Sequence, residues 1–187
     1  MQTSFDIKTK GFCPPMTVVL VGTVIAGKVN FIEVAWFVTV NLRPPMIAVS
    51  LDMSRYSVAG IKQNQEFSVC IPDVSMKNIV DYCGLVSGRE KDKSQLFEVF
   101  YNVSQNIPLI CSCPVNLECV LHKTVEIPGR YIFIGEIVGA FARNDILENG
   151  RPNIEKANPL LLTMRDNRYW HLGTLAGDAW KDGLQSR

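Results

Sequence analysis

The chain has 187 residues, 47% of them hydrophobic and 20% charged, with nineteen basic residues against eighteen acidic ones and a formal net charge of +1. That length suits one domain over residues 1–187 with a core large enough to need no staples. The balanced charge, without a basic block, argues against nucleic acid as a partner, and the high apolar share points to a surface covered by a second subunit.

The six cysteines, Cys13, Cys70, Cys83, Cys111, Cys113 and Cys119, sit mostly in apolar runs, as reduced thiols do in a cytoplasmic protein. Lys8 and Lys10 ahead of the apolar residues 16–26 imitate a signal peptide. Asp6, the Pro14-Pro15 pair and a β-branched rather than helical run oppose that reading, and the run is too short to span a bilayer. The expectation is a cytoplasmic protein without a membrane partner.

Residues 16–26 read as a buried strand that turns at Gly27-Lys28 into residues 29–31, a β-hairpin. From Asn30 to Asp52 the sequence is NFIEVAWFVTVNLRPPMIAVSLD. Residues 34–40 are β-branched and aromatic, as a strand requires. Residues 41–45 break it, because each proline lacks an amide donor and pushes its predecessor toward extended geometry. Residues 46–51 resume as a second strand ending in polar Ser50 and Asp52.

Ser54 is placed to cap a helix through Tyr56, Val58 and Ile61, which Gly60 weakens. Residues 66–71 alternate with period two, a strand stopped at Pro72-Asp73. Met76, Ile79, Val80 and Cys83 form one apolar helical stripe that Ser75 helps to start and Gly84 ends. Residues 85–93, LVSGREKDK, make a polar loop, and Leu96, Phe97, Phe100 and Tyr101 have the spacing of another short helix. Residues 107–110 read as an edge segment, residues 116–126 as a strand, and Pro128-Gly129 turns the chain into a second long strand over residues 131–138. Residues 144–158 are turn-rich without a clear element, and residues 160–172 make a last hairpin around a polar turn at 165–168. Seven or eight strands with two or three short helices, in no regular alternation, predict a mainly β fold, a Greek-key barrel rather than a doubly wound sheet.

The common dinucleotide, nucleotide, zinc and serine-hydrolase signatures are absent, and two histidines, His122 and His171, exclude a histidine-rich metal site. Cys111, Cys113 and Cys119 lack the paired spacing of a structural zinc site, and buried packing is the preferred reading; no metal is expected. Cys83, at a helix end, suits either a pocket wall or the core. In the loop, Ser87 offers a hydroxyl, Gly88 lets backbone approach an anion, and Arg89, Lys91 and Lys93 concentrate positive charge. Those features suit a phosphate, but taken alone a solvated surface loop is the preferred reading.

The hairpin AWFVTV followed by RPPMIAVSLD, the Tyr56-Ser57 helix start, EFSVCIP, DYCGLVSGREKDK, and the late YIFIGEIV and YWHLG resemble the flavin reductase-like, FMN-binding split-barrel family, specifically its flavoredoxin branch. The resemblance covers nearly the whole chain. It implies a homodimer of Greek-key split β-barrels with noncovalent FMN, and an oxidoreductase whose chemistry resides on the flavin, with no catalytic side chain. By matching positions, it implies that Ala35, Trp36, Phe37, Val38, Thr39, Ser50, Leu51 and Asp52 lie along the ring and ribityl chain, with Asn30 at the motif's start. Ser57, Cys83, Gly84, Ser87, Gly88 and Lys93 surround the polar tail, with Lys93 as the phosphate's cation. Trp36 stacks on the flavin or packs across the dimer contact. Arg130 and Tyr131 fall on the substrate side, where many relatives carry Gly-Asp-His and this chain has Gly129-Arg130-Tyr131. That departure leaves open whether NAD(P)H is the reductant, or whether the protein is an electron carrier served by a redox protein partner.

Overall fold

A computed structural model of the chain describes residues 14–184; Lys8, Lys10 and Cys13 lie outside the described residues. β1 (Met16–Thr17) leads into β2 (Val19–Ile25), which turns through Ala26 and Gly27, both at positive φ, into β3 (Lys28–Val34). Two residues, Ala35 and Trp36, then carry the chain to β4 (Phe37–Leu42), and the Arg43-Pro44 corner returns it as β5 (Pro45–Asp52). Residues 34–40, expected as one strand, are divided: Val34 ends β3 and Phe37 begins β4.

β6 (Glu66–Ile71) follows helix α1 (Ser57–Asn64), and helix α2 (Lys77–Leu85) follows β6. The short β7 (Val99–Phe100) and β8 (Leu109–Ile110) pair with each other ahead of the long β9 (Val115–Ile127) and β10 (Arg130–Ala142). β11 (Leu147–Glu148), β12 (Arg151–Pro152) and a turn of helix, α3 (Ile154–Ala157), fill the stretch that sequence left unassigned. β13 (Leu161–Thr163) and β14 (Arg168–Trp170) form the final hairpin, and β1 adds to it.

Seven strands make one sheet in the order β3-β2-β6-β9-β10-β5-β4, every neighbouring pair antiparallel. β3 and β4 stand at its opposite edges, yet only Ala35 and Trp36 separate them. Three extended residue steps reach at most about 11 Å, so the sheet must roll until its edges face each other. The edges do not pair with one another, and the result is a split barrel open along the β3–β4 seam.

Alternation along β2 sends Val19 and Val21 to one buried cluster, with Ile47, Val49, Phe67 and Phe133, and Leu20 to a second, with Phe31, Cys70, Val80 and Ile110. Both sheet faces are therefore covered there, which is why β2 reads as a continuous apolar run. Gly60 in α1 is a packing residue: a Cβ there would stand 2.7 Å from side-chain atoms of Ile25 and Thr23.

Several local expectations resolve differently. Ser54 donates its hydroxyl to Asp52 Oδ1 at 2.6 Å and does not cap α1. Asp73 caps the 3-10 turn before α2 by accepting from the Ser75 amide, and α2 runs through Gly84 to Leu85. The helix expected near residues 96–101 is turns plus β7. Its aromatic spacing comes from edge-to-face packing of Phe97 on Phe31 at 5.3 Å and of Phe100 on Phe141 at 5.8 Å.

Candidate functional site

The seam leaves a cleft of about 570 Å³. Residues 32–34 of β3 and the Ala35-Trp36 crossing form one side; Ser50, Leu51 and Asp52 of β5 and Arg130 of β10 also line it, together with Asp81 and Leu85 of α2. Leu162, Met164 and Tyr169 bring the final hairpin to the same cleft. A narrower cavity of about 260 Å³ adjoins it, sharing Ile32, Ser54 and Arg55 and lined further by Asn30, Tyr56, Ser57, Cys83 and residues 86–89. A long site with a wide end and a narrow polar end results, of a size usual for small-ligand sites at about 300–1,000 Å³.

At the narrow end Asn30, nearly fully buried, donates from Nδ2 to Ser57 Oγ at 2.8 Å, while its Oδ1 has no partner. An amide can be turned about its terminal torsion. With Ser57 as the other donor, either its oxygen or its nitrogen can face the cavity. Gly88 faces the same atom: a Cβ there would stand 2.2 Å from Asn30 Oδ1 and 2.8 Å from the Tyr56 ring. Nearby, Arg89 donates to the Ser54 carbonyl at 2.7 Å and lies over the Tyr56 ring at 5.3 Å, and its backbone amide donates to the Ser87 hydroxyl oxygen at 3.2 Å. Arg55 reaches the Gly84 carbonyl at 3.2 Å.

Lys93, expected as a free cation for a phosphate, is 3% exposed, and its ammonium donates to the carbonyls of Phe31 at 2.6 Å and of Cys83 and Val86 at 3.1 Å. Three donors meet three acceptors, so the side chain borders the cavity as a clamp between the β3 edge, α2 and the loop. Burial lowers its proton affinity. The cations left to meet an anion here are Arg55 and Arg89.

At the wide end Arg130 donates to Ser50 Oγ and to the Ser50 carbonyl, each at 2.9 Å, and lies 3.9 Å over the Trp36 ring. Trp36 in turn accepts the Ser50 amide on its carbonyl and points its indole N–H at Met164 Sδ, 3.3 Å away. Asp52 is held below the ordinary carboxylate range by two hydrogen bonds from Ser54. Burial chiefly raises Glu33, with Asp81 adding to it, and pushes the Cys83 thiol up to about 11.

Of the residues singled out in the sequence, Asn30, Ser57, Cys83, Ser87, Gly88 and Lys93 line the narrow cavity, and Ala35, Trp36, Ser50, Leu51, Asp52 and Arg130 the wide one. Phe37, Val38 and Thr39 line neither, because β4 begins only after the crossing and runs along the far edge of the sheet. Gly84 stands behind the wall: a Cβ there would press on Glu33 Oε2 at 2.3 Å. Tyr131 packs on Phe133 beneath Lys62, whose ammonium lies 3.4 Å from its ring centre. Glu33, Arg55, Asp81 and Tyr169 also line the wide cleft and are missing from the site expected from sequence, because they are scattered singly through strand, loop and helix. Arg55, in the polar break between β5 and α1, carried the clearest signal of the four.

Residues 12–171 match the family model described as "Flavin reductase like domain". The crystal structure of flavoredoxin from Methanosarcina acetivorans is 44% identical, with a TM-score of 0.94 over 97% of this chain and 98% of that one. Flavoredoxin of Desulfovibrio vulgaris (Miyazaki F) is 27% identical, with a TM-score of 0.88 over 98% and 100%. Among curated sequences, a flavin reductase of Pseudomonas putida is 29% identical over 112 residues, 59% of this chain and 63% of the relative.

Proposed function

The chain belongs to the flavin reductase-like family, and from that membership we propose that it is an oxidoreductase working through noncovalently bound FMN in the seam cleft. The observation that carries the reading is the narrow end, where a buried amide oxygen lacks a partner and the backbone of Gly88 approaches it so closely that any side chain would collide with Asn30 and Tyr56. A flavin tail offers hydroxyls and a phosphate there, and Ser87, Arg55 and Arg89 supply donors. The wide end fits a flat ring with polar edges: Ile32, Val34, Leu51 and Leu162 are apolar, while Ser50 and Arg130 are polar. When bound, the flavin supplies the hydride or electron chemistry, and this chain's residues hold it, orient it and limit water.

The test is direct. Protein from flavin-replete cells is expected to be yellow, and apoprotein to bind FMN more tightly than riboflavin in a fluorescence titration. Colourless protein that takes up neither sinks the proposal.

A second reading, an electron carrier without its own NAD(P)H oxidation, draws on Arg130. It stands beside Tyr131, the residue that falls where many relatives carry the histidine of Gly-Asp-His, and its guanidinium is already engaged by Ser50 and Trp36. Rapid bleaching on stopped-flow mixing with NADH or NADPH supports a reductase; bleaching only by a reduced redox protein supports the carrier.

A homodimer belongs to the same proposal. Edge strand β4 exposes Val38, Val40 and Leu42 at 57, 46 and 79%, an apolar edge suited to a second copy. No helix among the described residues is long and apolar enough to cross a membrane, and we place the protein in the cytoplasm on its free thiols.

A further inference from the structure

The final hairpin brings a third oxygen to a pair of carboxyls in the cleft wall. Tyr169 of β14 places its hydroxyl oxygen 2.7 Å from Glu33 Oε1 of β3 and 2.9 Å from Asp81 Oδ1 of α2. A phenol has one proton and can donate to one carboxyl only. The second contact is a hydrogen bond only when that carboxyl carries a proton and donates to the phenol oxygen. Both contacts are hydrogen bonds at once only if the row of three oxygens holds two protons. With both carboxyls ionised, acceptor would face acceptor and like charges would crowd together.

The surroundings decide which carboxyl holds the second proton. Glu33 is raised by burial first and by Asp81, against the opposing Tyr169 hydrogen bond and the positive charge of Arg55. The Cys83 thiol of α2 is pushed up to about 11, by burial first and with Glu33 adding to it. Gly84 permits the arrangement, since a Cβ there would stand 2.3 Å from Glu33 Oε2. Glu33, Asp81 and Tyr169 line the wide cleft along with Asp52, Arg55 and Arg130.

We propose that Glu33, Asp81 and Tyr169 form a shared-proton site that passes a proton to an oxygen of the molecule reduced in the cleft, a carbonyl compound or quinone. The inference rests on the flavin reading, because the electrons come from the reduced flavin. Electron delivery leaves an oxyanion on such an acceptor. The Glu33 O–H bond breaks, an O–H bond forms on the acceptor oxygen, and the carboxylate left behind accepts the Tyr169 proton as a hydrogen bond. Water entering the open cleft then restores the second proton.

The site is tested in two steps. Carbon-13 NMR of carboxyl-labelled apoprotein reads the proton without any flavin: Glu33 is expected to titrate above the ordinary carboxyl range, with its midpoint lowered by Asp81→Asn and raised by Tyr169→Phe. A Glu33 midpoint in the ordinary range, unmoved by Asp81→Asn, overturns the shared proton. In FMN-loaded protein, photoreduced and mixed with a water-soluble quinone, reoxidation is expected to slow at high pH with the NMR midpoint. Glu33→Gln is expected to be slower by roughly a hundredfold, within the usual range for a lost general acid, and to show no such pH dependence. A Glu33→Gln protein with the parent rate and profile overturns the delivery role. Failure to bind flavin overturns the proposed function and the delivery with it, while the NMR titration still decides the shared proton.

Discussion

Lys93 Nζ lies 2.6 Å from the carbonyl oxygen of Phe31, 62 residues earlier, and completes its donor set on Cys83 and Val86. The contact ties the open edge of β3 to α2 and to the loop that lines the narrow cavity. Removing a buried ammonium while leaving three carbonyls unsatisfied costs on the order of 3 kcal/mol or more. Lys93→Met is expected to lower the unfolding free energy by that amount, read as a lower urea midpoint at unchanged slope, and to loosen residues 86–92 toward protease. A Lys93→Met protein as stable as the parent but weak in FMN binding would restore the residue as the phosphate's cation.

Arg55 and Arg89 are the cations proposed to meet the phosphate instead. Each borders the narrow cavity, and each spends only part of its guanidinium on a carbonyl. A charge-assisted hydrogen bond contributes roughly 1.5–3 kcal/mol. Arg89→Ala is expected to weaken FMN about 10- to 100-fold while leaving riboflavin affinity nearly unchanged. Equal losses for the two flavins would show that the residue orders the loop rather than meeting phosphate.

Gly88 is the position where a single methyl group discriminates most sharply. Its added Cβ would stand 2.2 Å from Asn30 Oδ1 and 2.8 Å from Tyr56 Cδ1. Both neighbours border the narrow cavity, so their displacement fills or distorts it. Gly88→Ala is expected to cut FMN affinity at least tenfold, about 1.4 kcal/mol, with a melting temperature close to the parent's. Calorimetric titration with a thermal melt reads both quantities, and unchanged affinity would remove Gly88 from the site.

The strands were legible because their physics is local. Residues 66–71 alternate, the Arg43-Pro44-Pro45 stop closes a hairpin, and Pro128-Gly129 joins two long strands. The break at Ala35-Trp36 was not legible, since two apolar residues amid a β-branched run carry no turn chemistry. Only the rolling of the sheet demands a crossing there. The same limit applies to the site. Ser87 and Gly88 stand together in one loop of the sequence and line one cavity, whereas Glu33, Asp81 and Tyr169 become neighbours only after the final hairpin folds back on α2. Lys93 shows the opposite error, a charge read as exposed because its acceptors are backbone atoms from distant segments.

Val38 and Leu51 separate assembly from folding. Leu51 is 3% exposed in the barrel core, and a charge there is expected to prevent folding, whereas Val38 on edge strand β4 is 57% exposed. Val38→Lys is therefore expected to leave the barrel intact and to turn a dimer into a monomer in sedimentation equilibrium. An edge lysine is a usual way to block strand-edge association. A parent protein that is monomeric at micromolar concentration would end the dimer proposal.

Glu33 also predicts a pH dependence of stability. Burial foremost, then Asp81, raises its carboxyl above the reference value of 4.5. A carboxyl raised in the folded state binds its proton more tightly folded than unfolded. Its contribution is thus fully present below the unfolded value and is lost as pH rises through the folded one. Glu33→Gln keeps the shape and cannot ionise. The parent is therefore expected to lose stability relative to Glu33→Gln as pH rises above 4.5, with the two curves parallel at lower pH. Asp52 and Asp145 are lowered and act in the opposite sense, but both proteins carry them, so they cancel in the difference. Urea midpoints across that range read the effect, and curves parallel throughout would mean that Glu33 ionises alike in the folded and unfolded chain.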